Sequence, residues 1–475
     1  MLLALPSFAP AGTPPRRPNF VFFFIDTLRA DHVGCYGYKR PTTPTIDNLA
    51  ASGTLFENCF SQSTWSLPSY TTFFTSCYPR THGVLSAARS LAPGMRTLPG
   101  IVGLRGYETV AFVGGGHLAP NFGLDRGFSL YNSSETASSI SWSVRKAIRW
   151  LEARKPGPFL LFVHGYDVHS PYQSPLGFSE MYDPGYRGIV HRKGFLRLEF
   201  LSTITDGKFD PCDLDPEDAG NDSPDTLPAP WRPGPEGLWP RLPSLPHALT
   251  PADREHLIAH YDGALTYADS WLARLLDALR QKGDLENTVV AVSGDHGEHL
   301  LEHGFLGHSR EPREQVIHVP LVMAGPGIAR GRRIADPVGL IDVAPTVLDL
   351  CGAVPCRQHQ GKSLAGYLSS TSSLASLQDP GAVSYHDDTY SFRTRDWHLL
   401  EWRQPDRLER VEVKLFHVAR DPSELAEVGD QNPETRRQML ERLGDWSEEF
   451  DRPGTAAGSK LTPRLREILR RFGYW

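Results

Sequence analysis

The sequence contains no long hydrophobic run. Its 475 residues include no stretch of about 18 consecutive apolar residues, the length that a helix needs to cross a bilayer, and we expect no transmembrane segment. An excess of positive charge is also missing, because 49 Lys and Arg residues stand against 55 Asp and Glu residues, a net charge of −6. This balance gives no indication of a nucleic-acid partner. Four arginines near the C-terminus are interpreted as the solvated face of a helix: Arg464, Arg466, Arg470 and Arg471.

The N-terminal residues are not expected to form a secretory leader of the usual kind. The first twelve residues are apolar but lack a basic region, and Pro6 and Pro10 interrupt them, so they do not fit a standard signal peptide. We expect residues 1–17 to form an N-terminal tail. A secreted or periplasmic location and a cytoplasmic location both stay open.

Cysteine is scarce, and its number favours neither redox compartment. The chain has 6 cysteines, of which Cys351 and Cys356 are close enough in sequence to pair. Cys35, Cys59 and Cys77 lie in motif-rich segments, where we expect buried free thiols.

What the sequence does have is the composition and periodicity of a globular α/β protein. Hydrophobic residues make up 40% of the chain, which also has 10 tryptophans, more than a disordered chain would carry. Helical spacing is clearest from Pro251 to Lys282, where Thr250 can cap the start and Gly283 can end the helix. The apolar runs between such segments are continuous, which is typical of strands buried on both faces of a mostly parallel central sheet flanked by helices. These runs are residues 19–25, 109–113, 159–163, 288–293 and 320–323.

The composition of the sequence changes at one place along the chain, and its secondary-structure pattern changes at another. Residues 206–249 contain ten prolines in irregular order, which predicts a surface insertion that either borders a functional site or is a passive loop. From about residue 375 the pattern changes to short strands at 397–402 and 411–418 and a helix at about 433–450. We therefore expect a catalytic domain at 18–374 and a small C-terminal α+β subdomain at 375–475.

Three motifs that are far apart in the sequence share one kind of chemistry. Asp26 follows the apolar run 19–25, Asp295 and His296 follow the run 288–293, and Ser66 opens the segment Ser-Leu-Pro-Ser. Ligands bind beyond the carboxyl ends of strands in such sheets, so two acids and an imidazole can hold a divalent cation beside a serine hydroxyl. A cation in that position stabilises an alkoxide nucleophile and neutralises an anionic ester. The pattern predicts a hydrolase for sulfate or phosphate esters.

Each of these residues also has a plainer interpretation. Pro68 fits the first turn of a helix through residues 71–75, which puts Ser66 at the positive end of the helix dipole, but Ser66 can equally cap that helix. Asp26 can likewise be a capping aspartate before the next turn. The partnership with Asp295 and His296 favours metal ligation and a nucleophilic serine over both alternatives.

The motifs together resemble the sulfatase family of the alkaline phosphatase superfamily. The resemblance runs over nearly the whole chain and implies the family's α/β fold, one divalent metal ion (calcium in the family), and an anionic ester of a small molecule or glycan as substrate. It implies that Asp26, Ser66, Asp295 and His296 bind the metal and that Ser66 is the nucleophile. The similar segments are Asp26-Thr-Leu-Arg-Ala-Asp31, Ser66-Leu-Pro-Ser69, Asp295-His-Gly-Glu298, Gly307-His308, Pro320-Leu-Val-Met-Ala-Gly-Pro-Gly327 and Leu415-Phe-His-Val-Ala-Arg-Asp-Pro422.

This chain departs from the family at the nucleophile and at the metal. Family members often have two adjacent acids where this chain has Asp26 and Thr27, and an asparagine where it has His296, so manganese, zinc or magnesium become candidates beside calcium. The family usually converts its nucleophile to formylglycine, with an arginine two residues after the signature proline. Tyr70 occupies that position and residue 66 is a serine, so we expect no formylglycine.

Two histidines are implied to act on the substrate. His169 lies in a segment similar to the family's His-x-Pro, whose histidine contacts the ester and can protonate the leaving oxygen. His308 stands where the family commonly has a lysine, and it can bind the anion as a cation or a second metal as a neutral imidazole. His164, His299 and His303 are weaker candidates. The family's earlier lysine has no counterpart in Gly114-Gly-Gly116, and the neighbouring histidine at 117 receives no role.

The sequence therefore predicts metal-dependent hydrolysis of sulfate esters, with Ser66, His169 and His308 as catalytic residues and both histidines contacting substrate. Hydrolysis of phosphoric or phosphonic esters by an unmodified serine is the first alternative. A non-catalytic binding protein that kept the fold is the second. The natural substrate, the metal and the oligomeric state stay open.

Overall fold

The computed structural model describes residues 17–187 and 250–471, apart from residues 136, 171, 173, 174, 176, 179, 309–310, 370–380 and 404–409. The tail up to residue 16 and the proline-rich stretch 206–249 lie outside the described residues.

Strands and helices alternate through most of the described chain. The strands are β1 (Asn19–Ile25), β2 (Thr54–Phe60), β3 (Arg89–Ser90), β4 (Glu108–Val113), β5 (Leu130–Ser133), β6 (Phe159–Gly165), β7 (Thr288–Ser293), β8 (His299–Leu300), β9 (Leu306–Gly307), β10 (His318–Ala324), β11 (Arg332–Ile334), β12 (Val338–Gly339), β13 (Ala382–His386), β14 (Thr389–Arg393), β15 (His398–Arg403), β16 (Arg410–Phe416) and β17 (Ala457–Gly458). The helices are α1 (Pro44–Ala51), α2 (Ser66–Thr75), α3 (Pro79–His82), α4 (Leu98–Gly103), α5 (Ile140–Ala153), α6 (Pro251–Lys282), α7 (Glu314–Ile317), α8 (Val343–Leu350), α9 (Ala365–Leu368), α10 (Pro433–Phe450) and α11 (Pro463–Arg471).

A mixed, mostly parallel sheet forms the centre of the molecule. Within the described residues it has 9 strands in the order β11-β2-β10-β7-β1-β6-β4-β5, with β12 paired to β2. β7, β1, β6, β4 and β5 run parallel, and β10 is antiparallel to both of its neighbours. The predicted fold class and all five predicted strands are confirmed. β2 was not predicted, because Glu57 and Asn58 interrupt its apolar run.

The apolar runs are continuous because both faces of the sheet are covered. Along β1, Phe20, Phe22 and Phe24 pack into one core cluster, which includes side chains of α2 and α8. Val21 and Phe23 pack into the opposite cluster with side chains of α5 and α6. Burying each such side chain stabilises the fold by about 1.5–3 kcal/mol.

Helix α6 has the ends that the sequence predicts. The Thr250 hydroxyl accepts a hydrogen bond from the backbone N–H of Asp253 at 3.2 Å, and Gly283 ends the helix with φ at 73°. No helix of the described chain is long and apolar enough to cross a membrane.

The C-terminal strands form a separate small sheet. β13–β16 are antiparallel in sequence order, and Met439 and Leu443 of α10 pack against them. β15, β16 and α10 confirm the elements predicted there. β13 joins the catalytic domain, since the Tyr385 N–H donates to the Gln62 carbonyl at 3.0 Å.

The five cysteines that lie within the described residues do not pair. Cys351 and Cys356 both carry free thiols, so the pairing that their spacing allowed is wrong. Cys59 and Cys77 are buried free thiols, as expected, and Cys35 is a partly buried one.

Candidate active site

The carboxyl ends of three adjacent strands bring the predicted metal ligands together. β1 lies between β7 and β6, with Phe24 opposite both Ser293 and His164. The next residues along β1 and β7 place Asp26 beside Asp295 and His296. All three ligand side chains are fully buried, and their ligand atoms lie within 4.8 Å of one another.

Each carboxylate has one oxygen held by a neighbour and one oxygen without a hydrogen bond. Asp26 Oδ2 accepts from His164 Nε2 at 3.0 Å, and Asp295 Oδ1 accepts from the Thr27 N–H at 3.2 Å. Asp26 Oδ1 and Asp295 Oδ2 are buried and have no hydrogen bond within the geometric limits among the described residues. Buried polar atoms are nearly always satisfied, so two unsatisfied carboxylate oxygens beside an imidazole fit a bound cation.

His296 is oriented as a ligand. Its Nδ1 lies 2.8 Å from the Gly297 carbonyl oxygen, which can only accept, so we infer that Nδ1 carries the proton and Nε2 presents a lone pair. That Nε2 lies 3.3 Å from Asp295 Oδ2 and 3.2 Å from Ser66 Oγ. A ligand set of one nitrogen and several oxygens favours manganese, zinc or magnesium over calcium, which prefers oxygen ligands alone.

The electrostatics of the site disfavour an ionised Asp26 when no cation is bound. Burial raises the pKa of Asp26 well above its usual range, and the charge of Asp295 raises it further. A divalent ion reverses this effect by stabilising both ionised carboxylates.

Ser66 is the first residue of α2 and does not cap it. Trp65 is the N-cap residue and makes no side-chain capping bond. The Ser66 hydroxyl instead faces His296 Nε2, at the positive end of the helix dipole. The Ser69 hydroxyl, one turn later, donates to the Asp295 carbonyl at 2.6 Å. This hydrogen bond connects α2 to the segment that follows β7 and carries Asp295 and His296, the proposed metal loop.

Tyr70 stands at the sequence position where the family has an arginine. Near the segment where the family has its earlier lysine, the neighbouring side chain is also a tyrosine, Tyr166. Tyr70 is fully buried among Phe24, Phe162 and His164. Tyr166 packs against the glycine loop, where an added Cβ at Gly116 would lie 2.4 Å from its hydroxyl. A side chain at residue 116, where φ is 57°, would therefore have to displace the Tyr166 hydroxyl.

His169 and His308 join the same cluster. The His308 ring lies 4.5 Å from the His296 ring and 4.9 Å from the His169 ring, centre to centre, and its Nδ1 lies 3.1 Å from Glu298 Oε1. Burial, followed by the charge of His296, lowers the pKa of His308 well below its usual range. This favours the neutral imidazole over the anion-binding cation.

Sequence reasoning missed three further residues of the cluster. His117 is buried near His308 and His169, since these lower its pKa in addition to burial. Glu298 is buried and accepts a hydrogen bond from Tyr172. His386 of β13 lies 2.7 Å from Thr64 Oγ1 through its Nδ1. The acid in the third motif was a usable signal for Glu298, whereas nothing local indicates His386.

The three weaker histidine candidates lie in two different places. His164 hydrogen-bonds Asp26, whereas His299 and His303 lie in or beside the β8–β9 hairpin. Within the described residues, neither of these two histidines belongs to the group of possible metal ligands around Asp26. A second group of buried donors, Glu314, His398 and Glu424, is an ion-pair network instead. Arg393 Nε and Nη2 bind both oxygens of Glu314, at 2.8 and 3.1 Å.

The sulfatase family model matches residues 18–353 of this chain. The chain belongs to the sulfatase family, that of sulfuric ester hydrolases. A second model, the C-terminal region of N-sulphoglucosamine sulphohydrolase, matches residues 301–449. Among relatives, arylsulfatase K of Canis lupus familiaris is 24% identical over 91% of this chain and 83% of its own length.

Solved structures show the same fold. A protein in complex with its substrate D-glucosamine-2-N,6-O-disulfate superposes with a TM-score of 0.71 at 19% identity, over 92% of this chain and 98% of that one. The phosphonate monoester hydrolase of Agrobacterium radiobacter superposes with a TM-score of 0.69 at 19% identity, over 91% and 96%. The fold is therefore shared by structures described for sulfated and for phosphonate substrates.

Proposed function

We propose that this protein hydrolyses sulfate esters of small molecules or glycans at one divalent metal ion, with unmodified Ser66 as the nucleophile. Asp26, Asp295, His296 and the Ser66 hydroxyl would hold the ion. The observation that carries the proposal is the convergence of two unsatisfied carboxylate oxygens and His296 Nε2 beside Ser66 Oγ. When bound, a divalent ion supplies charge that stabilises an alkoxide and the ester oxygens.

Groups of the protein itself would supply the nucleophile, bind the ester oxygen and protonate the leaving oxygen. Ser66 Oγ would release its proton to water and form a bond to the sulfur of the ester while the bond from sulfur to the leaving oxygen breaks, and a water molecule would then hydrolyse the serine ester. Backbone N–H groups at the N-terminus of α2 can bind an ester oxygen. His169 protonates the leaving oxygen. Burial and the neighbouring His308 lower the pKa of His169 to about 3, and an anionic ester beside it raises that pKa again.

The substrate class rests on the relatives and on the family. Arylsulfatase K and the complex with a disulfated glucosamine both favour sulfate esters, and the latter favours a glycan. Parallel assays with an aryl sulfate, an aryl phosphate and a phosphonate monoester test this directly. Sulfate esters should turn over fastest.

A second candidate function is hydrolysis of phosphoric or phosphonic esters. Tyr70 in place of the arginine and a serine at 66 favour it, because a plain hydroxyl is the usual nucleophile of phosphate-ester relatives. Faster turnover of the phosphate or phosphonate substrate would replace the first proposal with this one. A non-catalytic protein would show no metal-dependent turnover of any of the three.

We predict that Asp295→Ala and His296→Ala each lose both the bound metal and the activity while keeping the fold, because each removes a ligand from the buried centre. Metal content by mass spectrometry and circular dichroism measure the two effects. His398→Ala, at the ion-pair network, is the control and should keep its metal. Near-normal turnover in either ligand variant would refute the site.

We also predict that residue 66 is an unmodified serine after expression in any common host, since Tyr70 interrupts the modification signature. Mass spectrometry of the peptide that contains residue 66 decides the point. A peptide lighter by two hydrogen atoms would indicate formylglycine and an ordinary sulfatase mechanism.

A further inference from the structure

The hydroxyl of Tyr70 is a buried polar group without a hydrogen bond. The side chain is 0% exposed, and its oxygen has no partner among the described residues. Leaving a hydroxyl buried and unsatisfied costs about 1–3 kcal/mol. Phenylalanine would fill the same space without that cost, so the oxygen calls for a functional explanation.

The Tyr70 ring packs against His164, a neighbour of the proposed metal centre. Tyr70 is one helical turn after Ser66 on α2, and helical side chains lean towards the N-terminus of their helix. Its ring meets His164 edge-on at 5.3 Å between ring centres, and His164 binds Asp26. After burial, the charges of Asp295 and Asp26 are the largest causes that raise the pKa of Tyr70.

The proposed metal centre has one carboxylate oxygen ligand fewer than the family pattern implies. Where family members have a second acid, this chain has Thr27. The Thr27 hydroxyl donates to the Val168 carbonyl at 2.8 Å, and it is therefore engaged away from Asp26 and Asp295. The set of ligands then consists of Asp26, Asp295, His296 and Ser66. Most divalent ions other than zinc take more than four ligands.

We infer that the Tyr70 hydroxyl is a further oxygen donor of the metal centre, which binds the ion or a water molecule that the ion carries. This inference rests on the proposed metal site. The apolar rings of Phe24 and Phe162 fix the tyrosine ring, so the oxygen is held in place without a hydrogen bond of its own.

The test compares Tyr70→Phe with wild-type protein for Mn²⁺ affinity and for the melting temperature without metal. Tyr70→Phe should weaken Mn²⁺ binding by about 10–100-fold, the range for losing a supporting group of a metal site. Its metal-free melting temperature should stay the same or rise, because an unsatisfied hydroxyl is removed. A purely structural hydroxyl would give the opposite pair of results.

Tyr131→Phe is the matched control. Tyr131 donates its hydroxyl to the Leu118 carbonyl at 2.6 Å, so its removal should lower the metal-free melting temperature and leave Mn²⁺ affinity unchanged. Iron(III) loading separates the two forms of the inference. A visible charge-transfer band that Tyr70→Phe abolishes indicates direct ligation, and lost Mn²⁺ affinity without such a band indicates contact through a bound water.

The outcome that overturns the inference is wild-type Mn²⁺ affinity in Tyr70→Phe while Asp295→Ala binds no Mn²⁺. In that case the proposed function stands and only the role of Tyr70 fails. If wild-type protein itself binds no divalent ion, the proposed metal site fails first and the inference fails with it.

Discussion

Two buried histidines in this site have opposite proposed roles, because their hydrogen-bond partners indicate that opposite ring nitrogens are protonated. His164 Nδ1 accepts from the Gly114 N–H at 3.3 Å, so its Nε2 carries the proton and donates to Asp26. His296 donates from Nδ1 to the Gly297 carbonyl, so its Nε2 is left as a ligand. Burial lowers the pKa of His164 to about 3, which keeps it neutral. One backbone group beside each ring thus decides between supporting a ligand and being one.

We predict that His164→Phe weakens divalent-metal binding by about 10–100-fold. The phenyl ring can keep the contacts with Tyr70 and Tyr166, but the donor to Asp26 Oδ2 is lost. Metal affinity by competition with a chromophoric chelator measures the effect. His82→Phe, which removes a buried histidine bonded to Thr72, is the control and should cost stability only. Unchanged affinity in His164→Phe would contradict the assigned role.

At the scale of elements, the position of helix α2 decides where the nucleophile lies. The Ser69 hydroxyl donates to the Asp295 carbonyl at 2.6 Å and lies 3.0 Å from the Ser61 hydroxyl. These two bonds connect the first turn of α2 to the metal loop after β7 and to the segment after β2. The Ser69 side chain therefore fixes the position of Ser66 relative to Asp295.

We predict that Ser69→Ala lowers kcat by about 10-fold or more with little change in KM, because a small displacement of a reacting group is costly. Its unfolding free energy should fall by about 1–3 kcal/mol, since the Asp295 carbonyl loses its donor. Steady-state kinetics and urea unfolding measure the two quantities. Thr71→Val removes a hydroxyl that bonds only within α2, and it should leave kcat unchanged. Equal effects of both variants would remove the special role of Ser69.

At the scale of the whole molecule, buried histidines govern the response to acid. Their folded-state pKa values lie below the unfolded value, so the unfolded chain takes up protons first as the pH falls below about 6.5. The contribution of these histidines to the free energy of unfolding is therefore full above about pH 6.5 and is lost as the pH falls towards about 3. Buried aspartates with raised pKa values, Asp26 among them, act in the opposite direction below about pH 6, but they are fewer than the buried histidines with lowered pKa values. The pKa is lowered to about 3 at His82, His164, His169 and His299, and it is raised to about 6 at Asp167, Asp269 and Asp342, in each case mainly by burial.

We predict that the metal-free protein is less stable at pH 5 than at pH 7.5, as measured by urea unfolding at both values. His82→Asn removes one of these histidines at a distance from the metal ligands, and its stability should depend less steeply on pH. A protein that becomes more stable on acidification would show that the aspartates dominate.

The sequence by itself determined the features that depend on neighbouring residues. Continuous apolar runs predicted β1, β4, β6, β7 and β10, because a strand covered on both faces needs apolar side chains at successive positions. Thr250 and Gly283 predicted the ends of α6, since capping is local chemistry. The positions of Asp26 and Asp295 after such runs predicted a metal site, because parallel strands present their carboxyl ends at one edge.

Only the tertiary structure decided the features that depend on distant residues. β2 has a mixed sequence and becomes a strand because β10 and β11 pair with its edges. His386 reaches Thr64 across 322 positions of sequence, and the protonated nitrogens of His164 and His296 depend on backbone groups that packing brings to them. The free Cys351 and Cys356 show the same limit, since proximity in sequence does not fix the directions of side chains. Burial and contact between distant segments are properties of the packed core, and no local pattern encodes them.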